Sequence, residues 1–269
     1  MFDSTRADPG LLDDVDEVVQ AVVDVAGVDP TGLLLVGAQC RDVLHSALGH
    51  TIQTRATRDL DLAIALASWQ DFDRLAATFP PASSNGIGYR IAGVPVDIVP
   101  FGHLIESPPG VVRPATRRDG IIVFGFERVF DDAIPLVLPS GHVIKLPQPA
   151  GYALLKLRAW LDRRSTGDAD DLALALHWYA ESVPVRDQLY DDLAVLEENG
   201  FNETVASAHV LGANIRQHLS DEEVETLKTL ITRTGLPDLA PRLIGLPHDR
   251  RLRAEVAAAF ANGLDTPQL

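Results

Sequence analysis

The sequence predicts an α+β protein: a mixed β-sheet with flanking helices over residues 1–147, followed by a C-terminal helical bundle over residues 148–269. Three observations carry that expectation. In the first half, short apolar runs bounded by glycine and proline alternate with segments of helical period. After Pro149 the helical period continues almost without a strand-like run. The length of 269 residues is long for one compact core and suits two modest domains.

Leu12, Val15, Val18, Val19, Val22 and Val23 recur at helical spacing, predicting a helix over residues 11–28 that Asp29-Pro30-Thr31-Gly32 ends. Leu33 to Val36 reads as a buried strand, and residues 37–48 as a helix opening directly from it and stopped by Gly49. Residues 59–66 read as a second strand, and residues 69–79 as a helix closed by Pro80-Pro81. Residues 89–93 and 94–100 look like two strands joined by a tight turn. Residues 101–119, rich in proline, glycine and charge, read as a loop. A further strand is expected over 121–126, and a hairpin over 135–138 and 142–146 around Pro139-Ser140-Gly141. In the helical half, breaks are expected near Gly167, Pro184, Gly200, Pro237 and Pro247.

Composition narrows the function classes. Hydrophobic content of 46% with 23% charged residues is that of a soluble globular chain. No apolar run approaches the ~20 residues of a membrane helix, and the first residues lack the layout of a signal peptide. Cys40 is the single cysteine, so neither a disulfide framework nor a thiolate metal cluster can form. A cytoplasmic protein is the expectation. The net charge of −15 repels phosphate backbones in bulk. A nucleic-acid substrate would need a local basic patch, for which Arg55 with Arg58, Arg113 with Arg117 and Arg118, and Arg158 with Arg163 and Arg164 are candidates; taken singly, each reads as a solvated surface arginine.

The chemistry-bearing residues fall in five places. Gly37-Ala38 stands where a strand opens a helix, a geometry that offers backbone N–H groups to phosphate but that also needs glycine for the turn alone. Asp59 and Asp61 are two apart, so in a strand both point to one side while Leu60, Leu62 and Ile64 take the other. Two such carboxylates suit Mg²⁺. Asp97 lies inside the apolar run 94–100, where burial is costly unless a metal, a base role, a nearby N–H or an arginine satisfies it. Lys156 sits in an otherwise apolar helix, either snorkelling to solvent or supplying a point charge to a triphosphate. Asp168 and Asp171 share a face near a helix start, where capping is as good an account as a site role.

Taken in order, Gly37-Ala38 with Arg41, then Arg55-x-Thr57-x-Asp59-x-Asp61, Asp97, Lys156 and Asp168-x-x-Asp171-Leu172 resembles the DNA polymerase β-like nucleotidyltransferase superfamily. Within it the pattern is most similar to the AbiEii-like group, toxins of type IV toxin–antitoxin and abortive-infection systems. The resemblance implies the nucleotidyltransferase-type sheet and two Mg²⁺ ions held by Asp59, Asp61 and Asp97. It also implies a nucleoside triphosphate (NTP) contacted by Gly37, Ala38, Arg41, Arg55, Thr57, Asp168 and Asp171, and charge neutralisation by Lys156. The implied reaction transfers a nucleoside monophosphate to an acceptor with release of pyrophosphate. The acceptor it implies is RNA, such as a tRNA end, with a cognate antitoxin as a further partner. A small-molecule nucleotidyltransferase of the antibiotic-modifying kind and a non-catalytic binding module are the competing readings. Two positions depart from the family's pattern: Ala38 stands where a glycine or serine is common, and Gly167 where a lysine often precedes the first late aspartate, leaving Arg163 or Arg164 to substitute.

Overall fold

The computed structural model describes residues 3–55, 59–114, 119–234, 236 and 238–266. The chain divides into two compact units, Phe2–Gln148 and Pro149–Leu269. The first holds a mixed six-stranded sheet with helices, and the second is helical, so the protein is α+β.

In the first unit, α1 (Asp13–Ala26) places Val15, Val18, Val19 and Val22 on one face, and all four are fully buried. A 3₁₀ turn capped by Asp29 then leads into β1 (Leu33–Val36), buried on both faces as its uninterrupted apolar run requires. α2 (Gly37–Ala47) begins at the next residue. β2 (Leu60–Ala65), α3 (Trp69–Thr78), β3 (Gly88–Ile91) and β4 (Val94–Phe101) follow, with Ala92-Gly93 as the tight turn between the last two. β5 (Val111–Val112) and β6 (Ile121–Ile122) form a separate two-stranded ribbon. After α4 (Phe126–Asp131) come β7 (Ile134–Val137) and β8 (Val143–Leu146). The strand order is β3-β4-β2-β1-β8-β7. β2 is antiparallel to β1 but parallel to β4, and β1 is parallel to β8. The buried Asp16 of α1 accepts hydrogen bonds from the Ser140 N–H (3.0 Å) and hydroxyl, which pins the β7–β8 turn to the helix.

One expected strand is corrected. Residues 121–126 are extended only at Ile121–Ile122. Phe126 and Phe130 are four apart, and on α4 both rings meet Phe101, at 5.8 and 5.4 Å. A strand would place those two rings on one face too far apart to share one partner.

The second unit comprises α5 (Pro149–Arg163), α6 (Thr166–Ala180), α7 (Val183–Asp191), α8 (Ala194–Glu198), α9 (Glu203–Gln217), α10 (Asp221–Thr234) and α11 (Arg250–Gly263). Trp160 of α5 and Trp178 of α6 are among its largest buried side chains, and Tyr152 packs on Trp178 with ring centroids 5.6 Å apart. The breaks expected near Gly167 and Pro184 fall two to three residues ahead of them. Gly167 lies inside the first turn of α6, the chain having turned at Arg164, and Pro184 occupies the first turn of α7, where its missing N–H costs nothing. Among the described residues no helix is long and apolar enough to cross a membrane.

Candidate functional site

The register of the sheet places four residues in one row. Gly88 pairs with Asp97 across β3–β4, Asp97 with Asp61 across β4–β2, and Asp61 with Val36 across β2–β1. Residues paired in register project to the same face, so Asp61 and Asp97 stand side by side on one side of the sheet. Asp59, one residue ahead of β2 and exposed, precedes Asp61 by two positions.

Glycines make room at both ends of the carboxylate pair. A Cβ on Gly37 would lie 1.9 Å from Asp61 Oδ2, 2.5 Å from its Cγ and 2.6 Å from its Cβ, so the Asp61 side chain lies directly over the Gly37 backbone. Gly37 also has φ +69°, a left-handed conformation that other L-residues rarely adopt. A Cβ on Gly88 would lie 2.9 Å from Asp97 Oδ1 and 2.3 Å from Ser83 Oγ. Strand neighbours about 5 Å apart that both carry ionised carboxylates repel by roughly 3 kcal/mol at an effective dielectric near 20. A cation or a hydrogen-bond donor beside the pair relieves that repulsion.

Gly37 and Ala38 open α2. Val36, at the N-cap, makes no side-chain cap, and the first turn carries no acidic residue. The helix start thus retains the positive end of its dipole next to Asp61. Arg41, one turn later, is 1% exposed. Its guanidinium holds Asp42 through two bonds of 2.8 and 3.1 Å and donates to the Arg55 carbonyl at 2.5 Å. Arg41 therefore ties Arg55 to α2. Arg55 itself is exposed. Thr57 and Arg58 lie outside the described residues, as do Arg117 and Arg118. Arg113 donates to the Ser107 carbonyl.

Lys156, Asp168 and Asp171 form a cluster within the second unit. Lys156 Nζ lies 2.6 Å from Asp171 Oδ2 and 3.7 Å from Asp168 Oδ1. Arg163 holds Asp168 through two bonds of 2.6 and 2.8 Å. Lys156, Asp168 and Asp171 are 8%, 2% and 3% exposed. Two cations and two anions thus balance one another between α5 and α6, which satisfies charges that burial would otherwise penalise. Burial pushes the Arg158 guanidinium down from its usual range, with Asp162 opposing. Arg164 stacks over Trp160 at 5.0 Å.

Two contributors escaped the sequence reading. Asn85 Nδ2 donates to both oxygens of Asp97, at 3.2 and 3.3 Å. Its Oδ1 accepts from the Ile87 and Gly88 N–H groups at 3.0 and 2.7 Å. The signal for Asn85 was the turn-forming run Ser83-Ser84-Asn85-Gly86, unremarkable until β4 places Asp97 beside it. Arg163 was expected as part of a basic patch or as a substitute for a missing lysine, and it is the residue that grips Asp168.

The oxygen donors Asp61 and Asp97 have the chemistry Mg²⁺ prefers. Among the described residues no group of three or more His, Cys, Asp or Glu side chains is placed to hold a metal ion. No protein-family model matches the chain, and no curated protein matches it significantly.

Proposed function

We propose that this chain is a Mg²⁺-dependent nucleotidyltransferase of the polymerase β-like kind, its first unit carrying the nucleotidyltransferase-type sheet and its second a helical bundle. The observation that carries the reading is the row across the sheet: Asp97 and Asp61 side by side, with Asp61 lying over Gly37 at the start of a helix without a side-chain cap. Paired carboxylates beside a helix N-terminus supply the two things a triphosphate needs, oxygen ligands for a divalent ion and N–H donors for phosphate.

In this reading Asp61 and Asp97 would hold Mg²⁺; the third carboxylate and the two-ion arrangement implied by the resemblance would require Asp59, which is exposed just ahead of β2, to join them on binding. When bound, the metal would neutralise phosphate charge and favour ionisation of the attacking hydroxyl. The Gly37 and Ala38 N–H groups orient the phosphates, a role that leaves no place for a side chain at 37. Asp97 accepts the acceptor's proton. Arg41 fixes Arg55 through its carbonyl. The resemblance gives Lys156 the charge of the outer phosphates to neutralise; within the second unit Lys156 is engaged with Asp168 and Asp171. The acceptor in this reading is an RNA end, such as that of tRNA, met through a local basic surface that includes the exposed Arg55. The protein then acts as a cytoplasmic toxin with a cognate antitoxin.

Calorimetric titration with each of the four ribonucleoside triphosphates, with and without Mg²⁺, tests the reading. Metal-dependent binding is expected in the native chain and its loss in Asp61→Ala, with the far-ultraviolet dichroism unchanged. Binding that survives in both Asp61→Ala and Asp97→Ala, or no binding by the native chain, would overturn it and leave a non-catalytic module.

A further inference from the structure

We infer that Asn85 is a positioning residue: its amide clamps the Asp97 carboxylate in register with Asp61. The inference rests on the nucleotidyltransferase reading for its functional consequence, though not for the clamp itself.

The orientation of the Asn85 amide follows from its surroundings. The Ile87 and Gly88 N–H groups both point at one end of the amide, at 3.0 and 2.7 Å, and two donors require the oxygen there. The amide nitrogen is thereby forced toward Asp97, where it meets both carboxylate oxygens. One side chain therefore performs two jobs. Its oxygen closes the turn ahead of β3, and its nitrogen holds Asp97. Gly88, paired in register with Asp97, allows the approach, because a Cβ there would lie 2.9 Å from Asp97 Oδ1 and 3.1 Å from Asn85 Oδ1. The loop is tied to the sheet independently, by the Ala82 N–H to the Gly88 carbonyl at 2.9 Å and the Ile98 N–H to the Ile87 carbonyl at 2.8 Å. An amide suits this place where a cationic side chain would not. It donates to an ionised carboxylate and fixes its rotamer, yet leaves the net charge of the Asp61–Asp97 pair intact for a metal ion. Partners that orient a metal ligand typically change affinity or activity by about 10–100-fold when removed.

Asn85→Asp separates the two jobs. The new side chain keeps an oxygen for the Ile87 and Gly88 N–H groups but loses the donor to Asp97 and sets a like charge against it. The exchange Asn85→Asp with Asp97→Asn restores one donor and one acceptor in reversed order. The first readout is amide hydrogen exchange of residues 83–99 in the full-length protein, which needs no substrate. Exchange at Tyr89 and Ile98 is expected to quicken at least tenfold in Asn85→Asp and to return to within about threefold of native in the exchanged pair. The second readout is steady-state NTP turnover. In Asn85→Asp kcat is expected to fall about 10–100-fold while KM for the NTP stays within about threefold, and in the exchanged pair it stays low, because residue 97 is no longer a carboxylate.

Native exchange rates in Asn85→Asp would overturn the clamp whatever the activity. Restored exchange protection together with native kcat in Asn85→Asp would overturn its positioning role. If the native protein turns over no NTP, the nucleotidyltransferase reading fails while the exchange experiment still decides the clamp.

Discussion

Gly37→Ala asks whether the carboxylate row depends on the missing side chain at its end. Two penalties add. An alanine at φ +69° sits in the left-handed region, which costs an L-residue about 1–2 kcal/mol. Its Cβ would also lie 2.5 Å from Asp61 Cγ and 2.6 Å from Asp61 Cβ. Rotation about χ1 can move Cγ and the oxygen away, but Cβ is fixed to the β2 backbone. β1 and β2 must therefore part slightly, and forced overpacking of this kind costs about 1–3 kcal/mol. The expected loss is about 2–5 kcal/mol, large beside the ~5–15 kcal/mol that holds a domain together. Hydrogen-exchange mass spectrometry on peptides spanning residues 30–66 reads the loss where it occurs, so that unfolding of the second unit does not obscure it. Gly37→Ala/Asp61→Gly removes the steric part and keeps the backbone part, and a double-mutant cycle should show a coupling of about 1–3 kcal/mol. Exchange within about threefold of native in Gly37→Ala, or a coupling near zero, would refute the argument that Asp61 and Gly37 share one space.

Two further outcomes follow from the second unit. Lys156→Met leaves Asp171, and in part Asp168, as buried anions without their cation, so a loss of about 3–5 kcal/mol is expected in urea unfolding. Lys156→Met/Asp171→Leu should recover most of it, and an unchanged midpoint in the single variant would show that the cluster is not balanced as described. Burial holds the His177 imidazole below its usual 6.5, against a smaller opposing pull from Glu181. The unfolded chain therefore takes up the proton first as pH falls, so His177 lowers stability progressively as pH drops below about 6.5 and ceases to add to that slope below its folded value. His177→Gln should flatten the pH dependence of the midpoint as pH falls below about 6.5, and an unchanged slope would remove His177 as its source.

The strands were legible where apolar residues had no choice of face. Leu33 to Val36 admits a strand buried on both sides, and β1 occupies those residues. The alternation through residues 59–66 set the inward face of β2, with Leu60, Leu62 and Ile64 buried. Residues 121–126 were misread because an apolar run has no period of its own. Only the position of Phe101 decides that Phe126 and Phe130 belong to a helix. The hairpin at 134–146 was legible from its turn residues, but its attachment to α1 through Asp16 was not, since 124 positions separate the partners.

For the candidate site the same division holds between local pattern and long-range pairing. That Asp59 and Asp61 share a side was expected from their spacing alone, although β2 begins only at Leu60. That Asp97 joins Asp61 does not, because parallel pairing of β2 with β4 depends on the crossover through α3 and on β3, and no local signal encodes its register. A one-residue slip would send Asp97 to the opposite face and place Val96 or Ile98 in the row. The register is held by burial of Val96 and Ile98, 1% and 0% exposed, on the face away from Asp97. The carboxylate pair is thus positioned by the apolar residues that flank Asp97 along β4, and the absence of side chains at Gly37 and Gly88 leaves it room. The aspartates were readable as isolated residues. Their company, Asn85 included, exists only after the core has chosen its register.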